Sequence, residues 1–208
     1  MLLITGPGNE SVLAGANWPT GATGTDEHGR YWVSFMSFTQ RQFRDALGLY
    51  PTGIAIVTAA DEDGNVGGLT VNSFTSVSLD PPLILVALAR SISSLAIFER
   101  ANYFAVSLLR DDQRHVSSAF AKSDLSKWQG GHHRKGNLAP IIHPNLVAFE
   151  CETYSRHDGG DHRLLLGKVI GMETGGDTPG MPLLYYRGQY RELSEEAAEP
   201  GSFRLEGW

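Results

Sequence analysis

From residue 39 onward the chain is patterned, and the period of the pattern changes along it. Phe43, Ala46 and Leu47 recur at helical spacing behind Thr39-Gln40-Arg41-Gln42, a capping box with Thr at the cap and Gln three positions later, and Gly48 follows as a stop. Beyond it the apolar positions gather in short runs: residues 54–58, 67–79, 83–88, 103–109, 147–154, 163–172 and 182–190. Turn-forming residues separate them, among them Asp61-Glu62-Asp63-Gly64-Asn65 and Asp158-Gly159, so the runs are predicted as strands joined largely by hairpins. Two further helices are predicted, one opening in Ser91-Ile92-Ser93-Ser94 and one capped by Asp111 or Asp112 and carrying Val116, Ala119 and Phe120. Residues 122–145 read as a loop-rich excursion.

Short strands, hairpins and few helices predict a mainly β protein with helical additions, an antiparallel barrel. No strand–helix alternation, internal repeat, G-x-G-x-x-G or phosphate-loop motif argues for a nucleotide fold of the parallel type. The pattern spans residues 36–193. Residues 1–35 lack a sustained period and are predicted to be a poorly ordered extension, with Met36 as an alternative start, and residues 194–208 an acidic exposed tail.

One predicted strand is unusual. Residues 67–82, GGLTVNSFTSVSLDPP, carry hydroxyls and a carboxamide where a core strand would carry Val, Ile and Leu. Alternation sends Thr70, Asn72, Phe74, Ser76 and Ser78 to one face and Val71, Ser73, Thr75, Val77 and Leu79 to the other. The first face suits either water or a polar heterocycle, and composition alone favours water. Just beyond, Ala89-Arg90-Ser91-Ile92-Ser93-Ser94 joins a buried strand to a helix start. Unpaired N–H groups, serine hydroxyls and Arg90 would suit a phosphate there, although serine is also a common plain cap. Together the two segments point to a nucleotide-like ligand.

Charge and cysteine content narrow the partners. The formal charge of −6 over 208 residues offers no basic surface of the kind nucleic acid requires. The single cysteine, Cys151, excludes an intramolecular disulfide and alternates with Val147 and Phe149 as a buried strand residue would. No run reaches membrane-spanning length and the N-terminus has no secretory pattern, so a cytoplasmic protein is expected. His132, His133, His143, His157 and His162 crowd one region, but none has metal-protease spacing, and no metal is expected.

FRDALGLYPTGIAIVTA, TVNSFTSVSLDPPLILVAL, YFAVSLL, FECETYSRHDGGDHRLLLGKV and PLLYYRGQYREL follow one another in the order of a known pattern. Over about residues 40–193 the chain resembles the flavin reductase-like family, the small reductase components of two-component flavin-dependent monooxygenases. Its most specific parts are T-x-N-S-F-x-S-x-S-x-x-P-P and Gly160-Asp161-His162.

The resemblance implies a split β-barrel that forms a homodimer, binds FMN or FAD, takes hydride from NADH or NADPH and supplies reduced flavin to a monooxygenase partner. It implies that Thr70, Asn72, Ser73, Ser76, Val77 and Ser78 contact the isoalloxazine and ribityl chain. Ser91, Ser93 and Ser94, with Arg90, would lie toward the phosphate, and Asp161 and His162 would seat the nicotinamide. Tyr185, Tyr186 and Arg187 would border the same cleft. Lys127-Trp128-Gln129-Gly130 stands where the family carries K-F-x-G, with Trp128 as a flat surface against the flavin. No catalytic acid or base is expected, because the cofactors carry the hydride chemistry. Two other readings are a flavin-binding electron-transfer or sensor module without free-flavin turnover, and a flavin-dependent oxidase or monooxygenase acting alone on a small substrate.

Overall fold

The computed structural model describes residues 23–25, 31–33, 38–175 and 180–193, and the chain divides into two compact units, Met1–Leu47 and Gly48–Trp208. In the first, β1 (Thr23–Thr25) pairs antiparallel with β2 (Tyr31–Val33), so part of the expected extension forms a small ladder. The helix α1 (Gln40–Leu47) starts at the expected capping box: Thr39 N–H donates to Gln42 Oε1 at 2.8 Å and Gln42 N–H to Thr39 Oγ1 at 3.2 Å. Met36 and the acidic tail lie outside the described residues.

The second unit is mainly β. Its strands are β3 (Thr52–Gly53), β4 (Ala55–Ala60), β5 (Val66–Val71), β6 (Thr75–Leu79), β7 (Pro82–Ala89), β8 (Tyr103–Leu108), β9 (His133–Lys135), β10 (Pro140–Ile142), β11 (Val147–Gly159), β12 (His162–Thr174), β13 (Leu184–Tyr186) and β14 (Gln189–Arg191). Seven form one antiparallel sheet in the order β5-β4-β8-β11-β12-β7-β6. A second sheet runs β14-β13-β3, and β9 pairs with β10 inside the expected loop region. Among the described residues no ladder joins β5 to β6, so the large sheet is open at its hydrogen-bonded edges. The helices α2 (Leu95–Arg100) and α3 (Arg114–Phe120) add cover. The helix α3 follows a 3-10 turn at Asp111–Gln113 capped by Arg110, whose N–H donates to Gln113 Oε1 at 2.9 Å; neither Asp111 nor Asp112 is the cap.

Two apolar clusters explain why residues 54–60 read as an apolar run interrupted by one residue, Thr58, whose buried hydroxyl donates to Pro140 O. Ala55, Val57 and Ala59 face a core with Val86, Leu88, Phe104 and Val106, under Phe98 of α2. Ile54 and Ile56 face the other side, with Leu109, Val116, Phe120 and Leu183. A strand covered on both faces has no solvent side to make polar. Cys151 is fully buried in the first cluster, and burial pushes its thiol up to about 12, so it packs as a small apolar group.

The hydroxyl-rich stretch is not one strand. The chain leaves β5 after Val71, crosses at Asn72–Phe74, and becomes β6 at the opposite edge of the same sheet. Ser73 holds the crossing: its hydroxyl donates to Ala87 O at 2.9 Å and accepts from Ala87 N–H at 3.0 Å, filling the place of a further ladder partner on β7. A register shift between Ser76 and Ser78 breaks the alternation again. The expected two faces over residues 70–79 are therefore replaced by two short strands serving different edges.

Candidate functional site

Two hollows adjoin along β5. The first, about 230 Å³, is bounded by Gly68 and Leu69 of β5, by Ser91, Ser93 and Ser94 ahead of α2, and by residues 120–123 and Lys127. Ser93 Oγ reaches toward Ser123 O at 3.5 Å, so the serine loop and the segment after α3 face each other across it. Lys127 lies in a 3-10 turn, Leu125–Trp128, capped by Asp124, which accepts from Ser126 N–H at 2.7 Å.

Lys127 is the chemically telling residue of this hollow. It is only 7% exposed, yet its Nζ donates to two backbone carbonyls, Gly68 O at 2.8 Å and Lys122 O at 3.0 Å, and no carboxylate lies within ion-pair distance among the described residues. Burial pulls its pKa below the ordinary lysine value, partly opposed by the charge of Asp124. An ammonium has three N–H groups, so one donor remains, and the Phe120 ring, 5.9 Å from Nζ at its centroid, is a weaker partner than an anion. A buried cation of this kind is costly unless an anion meets it. The surrounding serine hydroxyls are suited to the same anion, and a phosphate fits the donor set.

The second hollow, about 220 Å³, continues from the first past Ala121 and is lined by Ile54, Thr70, Val71, Asn72, Tyr185 and Tyr190. Thr70 donates its hydroxyl to Ser117 O at 2.7 Å, and Ser117 Oγ and Tyr190 OH are 2.9 Å apart. The rings of Tyr185 and Tyr190 meet edge to face at 5.8 Å. Apolar flanks, aromatic edges and an exposed carboxamide at Asn72 suit a flat heterocycle with carbonyl and N–H groups at its rim.

The other expected site residues are placed elsewhere. Ser73 spends both hydrogen-bonding functions on Ala87. Ser76, Val77 and Ser78 lie on β6, at the far edge from β5 and outside both hollows. Trp128 is packed edge to face on Phe120 at 5.1 Å and against Gly68, where a Cβ would come within 2.9 Å of the indole; it lines neither hollow. Tyr185 rather than Tyr186 enters the second hollow, and Arg187 sits at φ 50° in the hairpin turn beside Gly188.

Arg90 does not line the serine hollow either. Its guanidinium is engaged with Asp158 and with Gly160 O, at the tip of the β11–β12 hairpin. There Gly160-Asp161 forms a two-residue turn, two positions later than the expected Asp158-Gly159, with Gly160 at φ 70° where a side chain would be strained. His162 opens β12 opposite Ala89, its Nδ1 2.7 Å from Asp161 Oδ1, and that contact holds the Asp161 carboxyl below its usual range. Among the described residues no group of His, Cys, Asp and Glu side chains is arranged to hold a metal ion.

Sequence reasoning gave no role to Lys127, Tyr190, Ser117 or Ser123. Lys127 had a signal, a lysine within the Asp124-Leu125-Ser126-Lys127-Trp128 turn, but nothing in the order of residues says that its ammonium points inward. The Ser117–Tyr190 contact spans 73 positions and leaves no local trace.

Comparison with known proteins places the chain in a group. The Flavin reductase like domain family matches residues 47–194. A flavin reductase of Pseudomonas putida is 41% identical over 149 residues, 71% of this chain and 86% of that protein. The crystal structure of nitrilotriacetate monooxygenase component B from Mycobacterium thermoresistibile superposes with a TM-score of 0.75 at 36% identity, covering 80% of this chain and 93% of that one. The NADH:FAD oxidoreductase SgcE6 of Streptomyces globisporus, solved with NAD and FAD fragments, gives 0.71 at 30% identity, covering 76% and 94%.

Proposed function

This chain belongs to the flavin reductase-like domain family, and from that premise we propose that it is an NADH-dependent flavin reductase that supplies reduced flavin to a partner monooxygenase. The single observation that carries the reading is the buried, carboxylate-free ammonium of Lys127 in a serine-lined hollow that runs on into an aromatic one. Lys127, Ser91, Ser93 and Ser94 hold the phosphate of FMN or the diphosphate of FAD. Thr70, Asn72, Tyr185 and Tyr190 border the ring and ribityl chain.

When bound, the flavin accepts a hydride from the nicotinamide. The chain's own residues bind, orient and exclude water. Asp161 occupies Nδ1 of His162, which fixes the imidazole and leaves Nε2 for the nicotinamide. The apolar flanks Ile54, Val71 and Ala121 keep water from the ring. No side chain is assigned an acid or base role in that transfer, since the cofactors carry the chemistry. Reversible binding at about micromolar Kd corresponds to about −8 kcal/mol, a level compatible with handing the flavin on.

Two copies of this chain form part of the proposal. The edge strand β6 leaves one side unpaired, and its Val77 and Leu79 are 47% and 69% exposed, which is costly in a lone protomer. The functional domain is residues 36–193, and the compartment is the cytoplasm, where NADH is available. No helix among the described residues is long and apolar enough to cross a membrane.

The test is NADH oxidation with excess free FMN or FAD. Turnover that rises with added flavin is expected. Tight flavin retention without NADH oxidation would replace the reductase with a flavin-binding module. Light scattering on the purified protein checks the dimer, and a monomer at assay concentration removes it.

A further inference from the structure

The resemblance puts Arg90 beside the phosphate, yet among the described residues its hydrogen bonds all go to the β11–β12 hairpin. Its backbone N–H donates to Asp161 O at 2.9 Å. Its Nε donates to Gly160 O at 3.1 Å, and its terminal nitrogen pairs with the Asp158 carboxylate. One residue therefore holds both carbonyls of the Gly160-Asp161 turn and the strand end that leads into it. Asp158 is held in turn from the other side, by Arg163 at 2.6 Å, and Arg163 is itself paired with Glu99 of α2 at 2.8 Å.

The position matters because the ladder between β7 and β12 ends at Ala89 and His162. Past that pair the two-residue turn has no strand neighbour, and Asp161 is 93% exposed on its side chain. The Arg90 backbone N–H continues the ladder by one bond to Asp161 O, and its side-chain fork adds the hold on Gly160 O and Asp158. A guanidinium can serve a carbonyl through Nε and a carboxylate through a terminal nitrogen at once, which an ammonium on a flexible stem does not reproduce. Arg90 also immediately precedes Ser91, so the clamp ties the turn to the serine loop.

We propose that Arg90 and Asp158 form a clamp that positions the Gly160-Asp161-His162 turn for the nicotinamide, and that Arg90 is a positioning residue rather than a ligand of the flavin phosphate. The proposal rests on reading that turn as the nicotinamide seat. Asp158 is 75% and Arg90 43% exposed on their side chains, so the pair adds little to global stability and acts through orientation.

The experiment compares Arg90→Gln, Asp158→Asn, the double variant, Arg90→Lys and His162→Ala. The readouts are NAD+ binding by calorimetry, KM and kcat for NADH, dissociation constants for FMN and for riboflavin, and melting temperature. Each single clamp variant is expected to weaken NAD+ binding and raise the NADH KM by about threefold to tenfold, on the order of one exposed charge-assisted contact. The maximal rate stays within about twofold, and the double variant is no worse than the weaker single, as for two members of one contact. Arg90→Lys fails to restore NAD+ binding, and the melting temperature stays near that of the wild type.

A fall in FMN affinity with riboflavin affinity unchanged in Arg90→Gln overturns the clamp in favour of a phosphate ligand. Unchanged NAD+ affinity in the clamp variants, with weakened affinity in His162→Ala, overturns the clamp and leaves the nicotinamide seat standing. Unchanged affinity in His162→Ala as well removes the seat and the clamp together.

Discussion

Two cations border this site, and their surroundings are opposite. Lys127 is buried, hydrogen-bonded to two carbonyls and without a carboxylate at ion-pair distance among the described residues, whereas Arg90 is half exposed and already paired with Asp158. A cation serves an incoming anion only if its present partners leave it charge and a free donor. By that criterion the lysine is the ligand and the arginine is scaffold, the reverse of what their sequence contexts suggest: Arg90 stands in a serine-rich turn, and Lys127 in a segment whose expected contact was Trp128.

Removing the buried charge gives the largest effect. Lys127→Met is expected to weaken FMN binding about 10-fold to 100-fold, the scale of a hydrogen bond to a charged group, while riboflavin, which lacks the phosphate, changes little. The two dissociation constants, measured by quenching of flavin fluorescence, check it. Equal losses for both ligands would mean that the lysine supports the fold rather than the phosphate.

Next is the floor beneath that lysine. A side chain at Gly68 would meet the Trp128 ring at 2.9 Å and Phe120 at 3.0 Å. Gly68→Val should therefore destabilise the protein by about 1–3 kcal/mol through overpacking, read from denaturant unfolding. An unchanged midpoint would show that Trp128 can retreat, and would reopen it as a mobile cover for the hollow.

Ser73→Ala removes two hydrogen bonds to Ala87 and should cost about 1 kcal/mol of stability, with FMN affinity within about twofold. A large loss of FMN affinity at unchanged stability would return Ser73 to the flavin site. It would also separate this serine from the others less sharply than the structure does.

The smallest effect is in pH. Because burial lowers the Lys127 pKa from 10.5, the preference for FMN over riboflavin should begin to shrink at a lower pH than an ordinary lysine would set. Stability of the flavin-free protein should move the other way. Between the lowered folded value and the unfolded value near 10.5 the unfolded chain binds more protons, so stability rises with pH across that window. Both trends are measurable in one titration series, and their absence in Lys127→Met assigns them.

Much of the fold was legible because its signals are local. The capping box at Thr39, the apolar runs of β4 and β7, and the long β11–β12 hairpin all announce themselves within a few residues. The break at Asn72 was not legible. Its cause is Ser73 bonding to Ala87, 14 positions away, and a continued alternation of polar and apolar residues concealed it. Likewise the serines of residues 67–94 looked like one lining. Only Ser91, Ser93 and Ser94 face the first hollow, while Ser73 staples two strands and Ser76 and Ser78 follow β6 to the other edge.

The class of protein follows from the order of residues: period-two runs punctuated by turn residues bury their apolar sides as antiparallel sheet, and the ordered motifs point to the family. Tertiary structure alone decided which polar groups are free to meet a ligand. That depends on what each group already touches, and the deciding partners, Gly68 for Lys127 and Asp158 for Arg90, lie 59 and 68 positions away along the chain.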